Sequence, residues 1–197
     1  MKRLKFSKVL ELERKYASTT KVYKETLIDF LRPRPEGKGD QSVSVHMGTT
    51  TQNILKSDFI VEKFDYIEFE KKFPSNNKKK LDIYIEEAGN KYAIELKNSV
   101  DFDTTSGLAH LNRIQKEFGG LNTKAVIVCS NYYNSGVNDK GIPYEGYKFL
   151  EDLGFCSYTK FLYKLYKCYN TIVTLDTSLR IYNKQQIKEN ILKKLSL

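Results

Sequence analysis

Proline and glycine are scarce in this 197-residue chain, at 4 and 11, and no internal repeat or low-complexity tract runs through it. With 40% hydrophobic and 13% aromatic side chains, this argues against disorder along the whole length and for a chain able to bury a core. Cysteine occurs only as Cys129, Cys156 and Cys168, an odd number without a CxxC spacing. That disfavours a disulfide framework and reads as buried small hydrophobes. The 2 histidines, with no other cluster of metal-binding types, make a structural zinc site unexpected. No apolar run reaches the ~18 to 20 residues of a membrane span. The opening MKRLKFSKVLELERK lacks the apolar stretch of a signal peptide, so a cytoplasmic setting with no membrane partner is expected.

Acidic residues are few at the two ends. Residues 1–40 carry 11 basic and 6 acidic side chains (+5), 41–156 carry 14 and 16 (−2), and 157–197 carry 8 and 2 (+6). Basic flanks around a slightly acidic centre suit a protein that holds a polyanion at its ends while central carboxylates do other work. A lysine-rich compositional bias would give the same profile.

The periodicity predicts helix over 4–31, with a break near residues 18–20, stopped by RPRPEGKGD at 32–40 where Pro33 and Pro35 cannot continue it. QSVSVHMGTTTQNILKS is expected to be partly helical. Strand character begins at residue 59, with Ile67 and Phe69 on one face and Glu68 and Glu70 on the other. LDIYIEE and KYAIELKN read as two further strands joined by Glu87–Asn90. TTSGLAHLNRIQKEFGG reads as a helix capped by Thr105 or Ser106, apolar at 108, 111, 114 and 118, and ended by Gly119. KAVIVCS then reads as a strand buried on both faces. The expected architecture is α/β with a mixed central sheet and extra helices at both ends. It is one domain over 1–197: a helical part at 1–35, a core at about 41–155 and a basic helical part at 157–197.

Within the central hairpin, pairing the apolar residues sets Ile85 against Tyr92, Ile83 against Ile94 and Leu81 against Leu96. The same register puts Asp82 opposite Glu95, with Cβ atoms about 5 Å apart, and Lys97 beside them. Two facing carboxylates repel unless a positive group lies between them. A divalent cation would resolve the conflict and, with the lysine, suits phosphodiester hydrolysis. The alternative is a solvated sheet face on which Lys97 offsets the acids.

This arrangement, LD, twelve intervening residues and ELK, then a helix and a buried strand, resembles the PD-(D/E)xK nuclease superfamily of restriction endonucleases and Holliday junction resolvases. The resemblance spans about residues 59–130, and Leu81 stands where the family string has proline. It implies a restriction-endonuclease-like fold and a magnesium-dependent endonuclease, with manganese able to substitute. Asp82 and Glu95 would be the metal ligands and Asp82, Glu95 and Lys97 the catalytic set. A nucleic acid, double-stranded DNA by preference, would be the partner, and a homodimer would be needed to cut both strands. A further acid is expected among Glu11, Glu13, Glu25, Glu62, Glu68 and Glu70. Gln115 matches a glutamine of some relatives but reads rather as a boundary polar residue. His46 matches a manganese-binding histidine of viral cap-snatching RNA endonucleases, which gives an alternative function, and His110 has no role in this reading. A catalytically inactive nucleic-acid-binding protein and a basic interaction domain without metal are the remaining alternatives.

Substrate contacts are expected from Lys78, Lys79 and Lys80, read as a loop leading to Asp82. Lys160, Lys164 and Lys167 form a lysine ridge on an amphipathic helix whose apolar stripe is Phe161, Leu162, Leu165, Tyr166 and Tyr169. A core helix with a wet face is the commoner explanation of that pattern. Tyr132 and Tyr133, in NYYNSG, are candidates for stacking on bases or reaching phosphates, with a polar loop as the equal alternative.

Overall fold

The computed structural model describes residues 3–19, 41–98, 100, 102, 104–173 and 183–195. They belong to two units, Phe59–Phe155 and Lys2–Asp58 with Cys156–Leu197. The helix stop at 32–40 and Glu25 lie outside the described residues, as does the side chain of His46.

The second unit is helical. Helices α1 (Phe6–Thr19) and α2 (Gln41–Ser57) come from before the sheet in the chain, α5 (Tyr158–Val173) and α6 (Lys184–Leu195) from after it. The α2 segment is helical throughout rather than in part. Helix α5 buries the expected stripe of Phe161, Leu162, Leu165, Tyr166 and Tyr169, with Val9, Ile54 and Leu55 also enclosed. The lysine ridge is a wet face only in part: Lys160 and Lys167 are exposed, whereas Lys164 is buried, with its ammonium over the Phe6 ring.

The sheet unit holds a short 3-10 turn (Val61–Lys63) and strands β1 (Tyr66–Phe73), β2 (Asn76–Glu87) and β3 (Asn90–Lys97). Helix α3 (Thr104–Phe118) and strands β4 (Thr123–Cys129), β5 (Gly136–Val137) and β6 (Pro143–Gly146) follow, then the short helix α4 (Tyr147–Asp152). The sheet order is β1-β2-β3-β4-β6-β5, with β3, β4 and β6 parallel and the other pairs antiparallel. The mixed α/β architecture thus matches the sequence expectation, with β5 and β6 as additions too short to leave a periodic signal. β4 is the buried strand after a crossover helix, and all three cysteines are buried. Burial pushes the Cys129 thiol up to about 12, which makes it inert at neutral pH.

The β2–β3 register is the expected one near the turn, where Ile83 faces Ile94 and Ile85 faces Tyr92, but the ladder ends there: the expected Leu81–Leu96 and Asp82–Glu95 pairs are not part of it, and Leu81 packs with Tyr84 and Ala93 instead. The turn is tighter than expected. Glu87 and Asn90 already pair, so only Ala88 and Gly89 form the loop, both at positive φ (48° and 80°) as a type I′ turn demands. Helix α3 starts at Thr104, so the cap candidates Thr105 and Ser106 lie inside its first turn. It ends before Gly119, where an added Cβ would lie 1.8 Å from the Gln115 carbonyl oxygen. Its inward face is the expected one at 111, 114 and 118 and departs from it only at 108. Leu108 is exposed, while Gly107 packs on Phe102 and Ile142, Ile114 is fully buried, and Leu111 and Phe118 join the core clusters.

Candidate active site

Asp82 sits at a local fault in the sheet. Phe69 pairs with Ile83 and Lys71 with Leu81, and the row between them, Glu70 and Asp82, drops out of the ladder. Glu70 adopts a left-handed φ of 56°, unusual for a non-glycine residue within a strand. The side-chain alternation reverses there. Phe69 packs against Phe59 and Phe155, whereas Phe73, four residues on, packs against Phe118 in a cluster with Leu81, Tyr84, Ala93 and Ile114. Conformations of this kind cost about 1–3 kcal/mol and collect at functional sites.

At the fault the Asp82 carboxylate turns toward β3, and its Oδ2 accepts the Leu96 backbone N–H at 2.7 Å. Asp82 is thereby fixed against the residue that follows Glu95. Lys97 Nζ donates to Glu95 Oε1 at 3.0 Å, so the hairpin brings Asp82, Glu95 and Lys97 to one place. Glu95 keeps only 13% of its side chain exposed, against 38% for Lys97, which leaves the ammonium reachable from solvent.

The other Glu95 oxygen faces helix α3. His110 Nε2 lies 2.9 Å from Oε2, at ion-pair distance but off the line of a good hydrogen bond, and Arg113 Nη2 lies 2.6 Å from His110 Nδ1. Burial acts to raise the Glu95 carboxyl pKa, but His110 and Lys97 outweigh it and hold the group below the ordinary carboxylate range. His110 is the residue that the sequence reading passed over. Its signal lay in the helical spacing of His110, Arg113 and Ile114, which puts the pair on the inward face once Leu108 is recognised as outward.

The lysines of the expected loop lie elsewhere. Lys78, Lys79 and Lys80 belong to β2 itself, in an exposed extension of the strand, because the β1–β2 hairpin turns at Pro74 and Ser75. Ser75 is tied to Glu117 on α3, its N–H to Oε2 at 2.9 Å. Lys80 pairs across strands with Lys72, and its ammonium reaches Glu70 at 3.2 Å.

Of the candidates for a further acid, Glu70 shares with Asp82 the row missing from the ladder, and its carboxylate is met by Lys80. Glu68 accepts the Tyr66 hydroxyl, Glu62 lies in the 3-10 turn, and Glu11 and Glu13 belong to the helical unit, where Glu13 accepts the Thr50 hydroxyl. Gln115 is exposed. Tyr132 packs edge-on against Tyr144, which leaves its ring less open to a base than the sequence suggested.

Among the described residues, no three His, Cys, Asp or Glu side chains gather to hold a metal by themselves. Two carboxylates are what the hairpin offers. Each carboxylate oxygen has lone pairs for both a hydrogen bond and a cation, so a hard dication completed by water and phosphate oxygens fits the donors. No described helix is long and apolar enough to cross a membrane. Searched against protein-family models, curated proteins and solved structures, the chain matches none.

Proposed function

We propose that the sheet unit is restriction-endonuclease-like and that the chain is a metal-dependent nuclease, with DNA as the favoured substrate. The observation that carries this reading is the joining of Asp82, Glu95 and Lys97 at the fault, with Asp82 on the Leu96 N–H and Lys97 on Glu95. Asp82 and Glu95 would hold magnesium, or manganese in its place, through carboxylate oxygens. Bound there, the ion would supply Lewis-acid polarisation of a scissile phosphate and make water more acidic.

The protein groups do the rest. The Leu96 N–H and the Lys97 ammonium fix the two carboxylates before substrate arrives, which removes reorganisation at the moment of reaction. Lys97, half exposed, offsets the negative charge that grows on the phosphate in the transition state. Lys78, Lys79 and Lys80 extend along β2 toward Asp82 and would meet the phosphodiester backbone, adding affinity without sequence preference. One such site cuts one strand, so cutting a duplex through would need two copies.

One observation favours a second reading. Glu95 already has a partner on each oxygen, so its charge is met within the fold, as in a nucleic-acid-binding protein that keeps the architecture without cutting. Incubating the protein with labelled double-stranded DNA, single-stranded DNA and RNA, under magnesium, manganese or EDTA, separates the two. The nuclease reading expects metal-dependent cutting that disappears in Asp82→Ala and Lys97→Ala. Binding that ignores metal, with no cutting of any substrate, would replace it with the second reading.

A further inference from the structure

Arginine has only donors, so His110 Nδ1, 2.6 Å from Arg113 Nη2, must be the acceptor in that contact. A proton on Nδ1 would set two N–H groups against each other and, in the doubly protonated ring, two cations as well. The neutral imidazole therefore carries its proton on Nε2, the atom 2.9 Å from Glu95 Oε2. Arg113 is itself held in place, with its guanidinium over the Phe73 ring at 4.9 Å and Phe73 packed edge-on against Phe118 at 4.9 Å. Ile114, fully buried beside it, fixes the rotation of α3 about its axis. The chain of support runs from a packed aromatic pair through Arg113 and His110 to one carboxylate oxygen.

We infer that His110 is a positioning residue for Glu95, locked by Arg113 in the tautomer that puts the ring proton on Nε2, the nitrogen 2.9 Å from Glu95 Oε2. This rests on the reading of Glu95 as a site carboxylate. His110 lends Glu95 a donor and not a lone pair, so the ring is not a metal ligand and the site is made of oxygens alone. Such a site suits magnesium or manganese and gives no purchase to ions that seek nitrogen. Together with Lys97 on Oε1, His110 on Oε2 fixes the rotation of the carboxylate plane. A carboxylate so fixed presents its remaining lone pairs in one direction.

Two measurements on the full chain test this. Long-range nitrogen–proton correlation spectra of ¹⁵N-labelled protein at pH 8, with His110→Gln used to assign the two histidines, should show His110 protonated on Nε2. Arg113→Ala should turn that pattern into a tautomer mixture. An Nδ1-protonated ring in the unaltered protein would overturn the inference. Manganese binding, followed by electron paramagnetic resonance, should weaken about tenfold or more in His110→Ala, the usual effect of losing a partner that orients a ligand. His110→Gln, which keeps an N–H donor, should recover part of it. Unchanged binding in both variants would also overturn it. If the unaltered protein neither binds manganese nor cuts nucleic acid, the nuclease reading fails. The tautomer and its response to Glu95→Ala then still decide whether His110 orients Glu95.

Discussion

Asp58 in the helical unit and Glu95 in the sheet unit are both partly buried carboxylates with two partners, and the partners differ. Asp58 Oδ2 receives two ammonium groups, Lys160 at 2.6 Å and Lys164 at 3.1 Å, and Lys164 also donates to Ser57 Oγ at 2.9 Å. Burial acts to raise the Asp58 pKa, and Lys160 and Lys164 more than reverse it. Two cations on one anion leave no call for a third, so this cluster is a structural tie. Glu95 has one ammonium and one imidazole whose other nitrogen faces Arg113, with a second carboxylate, Asp82, on the backbone N–H of the next residue, Leu96. The lesson is that partial burial and a lowered carboxyl pKa do not tell the two acids apart. What differs is how the charge is balanced, and whether a second acid lies nearby.

The largest effect should come from breaking the sheet-unit cluster. Lys97→Ala should lower metal-dependent cleavage at least about a hundredfold, the scale of removing one preorganised transition-state stabiliser. Asp58→Asn should leave the rate per folded molecule unchanged, both read in single-turnover assays. Stability should respond in the opposite order. Lys164→Met keeps the apolar stem but leaves Asp58 and Ser57 without their shared donor. It should cost about 2 kcal/mol in urea denaturation.

The two acids can also be compared by pH. The folded pKa of Asp58 is depressed, so its contribution is fully present above the unfolded value of about 3.9 and is lost as pH falls through the folded value. The stability gap between the unaltered protein and Asp58→Asn should therefore stay constant near neutrality and close in acid below about pH 4. The smallest effect is expected on the lysine arm. Lys79→Ala should weaken nucleic-acid binding evenly across sequences and lower the salt dependence by about one counterion.

The hairpin register was legible near the turn because Ile83, Ile85, Tyr92 and Ile94 share one apolar face, and a slip by one residue would have paired Ile94 with Asp82. The buried β4 run and the stripe on α5 were legible for the same reason: apolar period reports burial directly. The fault at Glu70 was not, since a glutamate carries no sign that its backbone will turn left-handed; only the ladder on both sides imposes it. Lys78–Lys80 misled because lysine runs are common in loops, yet here the pairing of Lys80 with Lys72 carries the strand outward. Lys164 misled because helical spacing gives the face of a residue and not the reach of its neighbours. His110 was overlooked because its meaning depends on Arg113, a relation that exists only once the helix is seated on the sheet. Of the candidate site, the closeness of Asp82, Glu95 and Lys97 could be read and the contacts around them could not.

The most direct measurement is the melting temperature of the full chain with and without magnesium, for the unaltered protein, Asp82→Asn and Asp58→Asn. Ligand that binds only the folded state raises its stability. The account predicts that magnesium raises the melting temperature of the unaltered protein and of Asp58→Asn, and not that of Asp82→Asn. No rise in the unaltered protein, or an equal rise in all three, would contradict it.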